Sequence, residues 1–434
     1  MKKVLIMAAA LCVSLPFVKA QDTVAGKPSG KSFVKVYGFV RNYLTFDSRK
    51  TYTVVGGEYN MLPYDVDKVD GADLNDVASM QMQALTSRIG LDITGPMLLG
   101  WETRGKLEGD FGGFGTTNTV LRLRLAYMKL QKESRELLMG QDWHPLSGDI
   151  MPEVLGMAAG SPFRPHSRTP QIRATQYWGP FGCSAALLWQ LQYMNNGPES
   201  ATSLASVASL DFARQALWPE AFLGFNFKQG GWYAQLGVDA QLLRPRTHAF
   251  VYGCFNNGYA EVDETVASLT PTLYAQYVGQ GLSVKFRTLL AQNTSHLTQL
   301  VGYGIAGVEP DGSYSYAPLN ASISYLNIAY GKRVRANLFL GYMKNLGANV
   351  DLYDFGQGDY HIYMKGGNSF THLNSVYRIA PSLSYNLPHF NLGIEYEWTA
   401  CTFGDLASNG SILLNDQLHQ VANHRVCLLV KYNF

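Results

Sequence analysis

Apolar and polar residues alternate with a two-residue period along most of this chain, and they do so in segments of about ten residues. The period predicts sixteen strands, near 34–46, 82–95, 98–111, 119–131, 135–142, 170–179, 182–194, 219–228, 231–243, 268–278, 281–293, 320–331, 334–345, 374–386, 389–402 and 420–433. In the last of these, Val426, Leu428, Val430, Tyr432 and Phe434 share one face, and Arg425, Cys427, Leu429 and Lys431 share the other. The first face suits lipid and the second a wet interior. A terminal aromatic on such a strand is the address tag read by the outer-membrane assembly machinery of Gram-negative bacteria. A soluble edge strand that ends in Phe is the rival reading.

The connections sort themselves by length. Gly95-Pro96-Met97, Gly179-Pro180-Phe181, Gln229-Gly230, Gly279-Gln280, Gly331-Lys332-Arg333 and Leu387-Pro388-His389 have the chemistry of tight turns. Between them run 47–81, 143–169, 195–218, 244–267, 294–319, 346–373 and 403–419, mostly long and polar, with a short Gly-rich exception at 112–118. Strict alternation of short and long puts every long loop at one end. The fold class is therefore all-β: a transmembrane antiparallel β-barrel of about sixteen strands, with short periplasmic turns and long extracellular loops. An even strand number leaves no unpaired edge in lipid.

The start of the chain agrees. Lys2 and Lys3 precede an apolar run from Val4 to Val18, too short to span a bilayer as a helix, and Val18-Lys19-Ala20 offers a signal-peptidase site. The expected organisation is a signal peptide at 1–20, a short periplasmic leader at 21–33 and one barrel at 34–434. Cys12 raises a lipoprotein alternative, but Ala9-Ala10-Leu11 is a poor lipobox. Composition narrows the class further. With 35 Lys+Arg against 33 Asp+Glu there is no basic field for nucleic acid. Cys183, Cys254, Cys401 and Cys427 are widely spaced and form no C-x-x-C pair, so no metal site is expected from them; a Cys254–Cys401 disulfide is open. No phosphate-binding loop and no cofactor motif is present.

Strand parity assigns the lumen, because a charge facing lipid at the midplane costs about 2–4 kcal/mol. Arg88 and Asp92 face inward, as do Glu102, Arg104, Lys106, Glu108 and Asp110, then Arg122 and Arg124, and later Lys285 and Arg287. Leu121, Leu123, Leu125 and Tyr127 are expected to face lipid. The 102–110 ladder carries both signs and either locks the wall or lines a pore. Arg122 and Arg124 have fewer obvious partners and are the better pore candidates. Lys35, Arg41, Arg173, Arg335, Arg425 and Lys431 are further inward bases, while inward acids are fewer, so anionic solutes should be preferred. The loop 143–169 is stiffened by Pro and Gly and has an apolar middle, Val154, Leu155, Met157, Ala158 and Ala159. It is expected to fold into the lumen, where Asp149, Glu153, Arg164, His166 and Arg168 would face Arg104, Arg122 and Arg124. The alternative is packing across the barrel top or against a neighbouring subunit.

Three stretches carry a family resemblance: Lys106 to Phe111 with its E-G-D-F, Leu121 to Tyr127 with its L-R-L-A-Y, and Leu138 to Trp143 with its G-Q-D-W. In that order and spacing, over about residues 80–180, the chain resembles the DcaP-like trimeric porins. The resemblance implies a sixteen-stranded homotrimer in outer-membrane lipid and lipopolysaccharide. It also implies passive uptake of small hydrophilic solutes, often anionic. The matching motif residues are Glu108, Asp110, Arg122, Arg124 and Gln141. Some members carry an N-terminal coiled coil, for which residues 21–33 are too short.

The expected function is thus a porin, not an enzyme, with no catalytic, cofactor or metal residues. The expected pore lining is Arg88, Glu102, Arg104, Lys106, Glu108, Asp110, Arg122, Arg124, Gln141, Asp149, Glu153, Arg164, His166, Arg168, Arg173, Lys285 and Arg287. Three rivals remain. A barrel hydrolase would need a nucleophile beside one of His166, His248, His296, His361 or His372, none at motif spacing. A plugged, energy-coupled transporter would need a large domain ahead of the first strand. An adhesin or structural barrel would use loop aromatics such as Tyr52, Tyr59, Tyr64, Tyr314 and Tyr316.

Overall fold

The computed structural model describes residues 32–434 apart from 56, 58, 114–119, 148–150, 157 and 251–257. The signal-like segment 1–20, nearly all of the leader, Asp149 and Cys254 therefore lie outside the described residues. Sixteen wall positions close one antiparallel barrel. They are β1 (Phe33–Asp47), β2 in two pieces (Ser79–Gln83 and Arg88–Thr94), β3 (Glu102–Asp110), β4 (Arg122–Lys132), β5 (Arg135–Trp143), β6 (Arg168–Trp178), β7 (Phe181–Leu188) and β8 (Glu220–Gln229). Then follow β9 (Trp232–Leu243), β10 (Val266–Gly279), β11 (Leu282–Gln292), β12 (Asn320–Gly331), β13 (Val334–Gly347), β14 (Leu373–Asn386), β15 (Phe390–Phe403) and β16 (His419–Asn433).

The seam falls where the terminal strand requires it. β1 pairs with β16 from Phe39↔Asn433 to Asp47↔Arg425, and with both pieces of β2 on its other side. Every backbone row thus finds a partner. Val34, Val36, Val40 and Leu44 of β1 are exposed on the same outer surface as Val426, Leu428, Val430, Tyr432 and Phe434. The tight turns also form as expected. At Gln280-Gly281 both residues have positive φ, +52° and +87°, which matches the right-handed twist of the flanking strands.

Three departures from the simple period have local causes. The second strand is interrupted at 84–87, so it reads as two pieces and not as one run from 82 to 95. β3 starts only at Glu102, because Leu98–Trp101 closes a turn of its own. Between β3 and β4 the register shifts, with Glu108 opposite Leu125 but Gly109 opposite Leu123. Arg124 is the extra residue of this bulge. Beyond it every side chain changes face: Leu125 and Tyr127 turn into the lumen and Met128 takes the lipid side. The expectation that Leu125 and Tyr127 face lipid is corrected here.

Loops enter the interior. The third loop, 144–167, folds inward as expected. Leu155 N and Gly156 N donate to Glu395, Glu153 N donates to Asn327 Oδ1, and Tyr43 Oη donates to Leu155 O. The first loop enters too, which the period gave no sign of. Its hairpin Thr51–Val54 with Tyr59–Pro63 buries the whole second strand, and Asn60 Nδ2 reaches Glu397 Oε1 at 3.0 Å. One side chain holds both loops: Arg378 on β14 donates to Ser161 O at 2.8 Å and to Met61 O at 2.6 Å. Together with Phe163, Tyr325, Phe339 and Phe403 the two loops form an apolar core inside the barrel. The loop aromatics Tyr52 and Tyr64 pack on Phe370, with ring centroids 5.6 Å away in each case. Cys183, Cys401 and Cys427 are buried.

Candidate functional site

The third loop leans towards β11–β15 and leaves a cavity of about 670 Å³ against the opposite wall, from β16 through β9. The wall side is basic. Phe39 on β1 sits opposite Arg88 on β2, and Arg41 sits opposite Lys431 on β16. That register gathers three cations on one ring: Arg41 Cζ and Arg88 Cζ each lie 4.9 Å from the Phe39 centroid, and Lys431 Nζ lies 4.2 Å from it. Seven Lys and Arg side chains line the cavity against three carboxylates, Glu108, Glu136 and Asp142, so its net charge is positive. Each of those carboxylates is itself engaged: Glu136 with Lys129, Asp142 with Arg173 at 2.9 Å, and Glu108 with Arg124.

The sequence motifs build the wall beneath. Arg122 grips Asp110 with two bonds of 2.8 Å, and Arg124 joins Glu108 and Asp110 at 2.8 Å each. Arg88 Nη1 adds a contact to Glu108 at 3.3 Å, and Tyr37 Oη donates to the other Glu108 oxygen at 2.9 Å. Glu108, Asp110, Arg122 and Arg124 are almost fully buried, and ionised groups are tolerated there only because each charge is met by its opposite with good geometry. Gln141 completes the lock. Its Nε2 donates to Leu123 O and Arg124 O, the carbonyls on either side of the bulge. Arg122 and Arg124 were expected to have fewer partners than the 102–110 ladder and so to serve the pore. The structure corrects that: they are the struts of a four-charge lock, with only Arg124 touching the cavity.

Of the other expected lining residues, Arg88, Lys106, Glu108, His166 and Arg173 also border the cavity. Lys106 pairs with Asp92 at 2.7 Å and donates to Tyr37 Oη at 3.1 Å. Glu102 and Arg104 do not reach it; they pair with each other at the short-turn end, where Arg104 is half exposed. Glu153 lies on the far side of the third loop, gripped by Arg335 at 2.5 Å and 3.0 Å, while Lys285 donates to Met151 O. Burial raises the Glu153 pKa, but its Arg335 hydrogen bonds and the Lys285 charge outweigh that and hold it below the ordinary glutamate value.

Arg164 and Arg168 were expected to face Arg104, Arg122 and Arg124 across the constriction. Instead Trp143 fills the gap, and the three guanidiniums surround its ring at 5.3, 4.7 and 5.8 Å. Arg164 and Arg168 are fully buried. His166 is buried between them, and burial with the neighbouring arginines holds it neutral. Its Nδ1 therefore accepts from Arg164 Nη1 and its Nε2–H donates to Tyr59 Oη, at 3.0 and 3.1 Å. Arg287 is also buried, 5.4 Å from the Tyr274 ring, with no hydrogen-bond partner for its guanidinium among the described residues.

Parity had already placed Arg41 and Lys431 inward but did not single them out. Phe39, Lys129, Glu136, Asp142 and Tyr127 were missed as lining residues, the last because the bulge is invisible to a fixed period.

The outer-membrane channel DcaP of Acinetobacter baumannii superposes with a TM-score of 0.63 over 95% of this chain and 100% of that one, at 16% identity. This chain has the DcaP-like porin fold. An anion-selective porin from Comamonas acidovorans matches the DcaP-like barrel at TM-score 0.52, covering 93% of this chain and 100% of the other, at 12% identity. OmpT of Vibrio cholerae matches at 0.51, covering 94% and 99%, at 10% identity. No protein-family model matches the chain, and no curated protein matches it by sequence. The DcaP-like fold is therefore carried by shape, with little shared sequence.

Proposed function

We propose that this chain is an outer-membrane porin that lets small hydrophilic solutes diffuse passively and favours anionic ones. The observation that carries the reading is the charge of the cavity beside the third loop, seven cations against three engaged carboxylates. Fixed positive charge in a narrow, low-dielectric passage raises the local concentration of anions and lowers that of cations. The solved porin described as anion-selective shares the architecture, which supports the same sign here. Transport by this route uses no cofactor and makes or breaks no bond in the solute. A homotrimer, seated in outer-membrane lipid and lipopolysaccharide, is part of the proposal.

Purified protein in a planar bilayer tests it. Stable ohmic conductance is expected, with a reversal potential in a KCl gradient displaced towards chloride. A bilayer that stays silent overturns the porin reading, and a cation-directed potential overturns the charge argument alone. Cross-linking in mild detergent checks the trimer, which a monomer ladder would exclude.

A further inference from the structure

Four side chains outside the cavity lining meet beside the root of the third loop. His144 follows directly on β5, Glu220 opens β8, Asp239 lies on β9, and His296 sits in a single 3₁₀ turn, Ser295–Leu297, of the sixth loop. Phe222 stands opposite Asp239, so Glu220 is its diagonal neighbour on the same inward face. His144 Nε2 is 2.8 Å from Glu220 Oε1 and 3.8 Å from Asp239 Oδ1, and His296 Nε2 is 3.0 Å from the same Glu220 oxygen.

All four residues are buried. Among the described residues no lysine or arginine forms an ion pair with either carboxylate, in contrast to the lock around Glu108 and Asp110. Glu220 Oε2 and Asp239 Oδ1 accept from no other side chain among the described residues, and the two carboxyl groups lie within hydrogen-bond reach of each other. Two buried carboxyl groups met by imidazoles and by each other, and not by a paired guanidinium or ammonium, leave oxygens that a cation can take. The ligand atoms of His144, Glu220 and His296 lie within 4.8 Å of one another, with Asp239 Oδ1 3.8 Å from His144 Nε2, and imidazoles with carboxylates are the donor set of borderline divalent metals.

We propose that His144, His296, Glu220 and Asp239 form a structural site for a divalent transition metal, of which zinc is the representative probe. The proposal does not depend on whether the barrel conducts. A metal there ties the root of the third loop and the sixth-loop turn to the wall. The returning limb of the third loop is already held to that turn, His166 N donating to Leu297 O at 2.7 Å, so both ends of the constricting loop become fixed.

Loading moves the ring proton of each imidazole, since His296 Nε2 as well as His144 Nε2 donates to Glu220 Oε1 and both must be freed for the ion. Without metal, Leu146 N donates to His144 Nδ1 at 3.1 Å, which places the ring proton on Nε2. As the metal takes Nε2, that proton moves to Nδ1 and the Leu146 amide gives up this acceptor. The site is therefore completed by the ion and closes as a hydrogen-bonded cluster in its absence.

Chelator-stripped, full-length protein in detergent is titrated with zinc by calorimetry, and retained zinc is counted after desalting. One zinc per chain is expected, together with a higher thermal midpoint. The double variant His144→Gln, His296→Gln is expected to lose both effects, while the surface control His389→Gln, His424→Gln keeps them. Failure of the stripped wild type to retain stoichiometric zinc overturns the proposal. Retention undiminished in the double variant overturns it equally. Should the double variant not fold, X-ray absorption on the wild type decides: a first shell without two imidazoles rejects the site.

Discussion

The ring of Phe163 on the third loop rests against the backbone of Gly341 on β13, where an added Cβ would stand 2.6 Å from it. Gly393 on β15 admits Leu155 in the same way, at 2.5 Å. The constricting loop is seated in gaps that missing side chains leave in the wall.

Gly341→Val should therefore push the loop off β13 towards the cavity on the opposite side. The expected outcome is a lower, noisier single-channel conductance and a loss of about 1–3 kcal/mol from overpacking. Bilayer recordings and urea unfolding read the two effects separately, and unchanged conductance would mean that Phe163 has room to yield.

Arg124→Gln strips Glu108 and Asp110 of a buried counter-charge. Removing one member of a buried ionic set costs about 3–5 kcal/mol, so reduced stability should dominate over any change in selectivity. Asp110→Asn should destabilise as well, since it leaves Arg122 and Arg124 short of a partner. Refolding yield and denaturant midpoint provide the measurement. A normal midpoint with altered ion selectivity would return Arg124 to a pore role.

Arg41→Gln combined with Lys431→Gln removes two of the three cations around Phe39. The reversal potential in a KCl gradient should move away from chloride, while Arg104→Gln, at the exposed short-turn end, should leave it unchanged. Equal effects from the two would show that selectivity does not arise in the cavity.

Acid should release the third loop late. The folded-state pKa of Glu153 lies below its unfolded value, so its latch to Arg335 is fully effective above the ordinary glutamate range. The latch is lost only as pH falls through the depressed value. Channel noise should stay flat through pH 4.5 and rise below it, and Arg335→Gln should move that onset upward.

How much was legible depended on how local the cause was. The tight turn expected at Gly279-Gln280 forms one residue on, at Gln280-Gly281, and the inward row from Glu102 to Asp110 is found; both follow from the residues themselves. The face of Leu125 was misread because the register shift at Arg124 is set jointly by two strands and Gln141, which no single strand reports. That Trp143 stands between Arg164 and Arg124 was out of reach for a related reason: only packing decides who stands between two charges.

By itself the sequence determined a closed barrel, its strand period, the end at which long loops gather and the seam between the first and last strands. Those properties rest on a two-residue alternation and on turn chemistry, both of short range. The tertiary structure alone decided which inward charges cancel, which gather on Phe39, and how far the first and third loops descend. Those outcomes depend on strand register and on the fit of Phe163 and Leu155 into glycine gaps, and both join residues far apart in the chain.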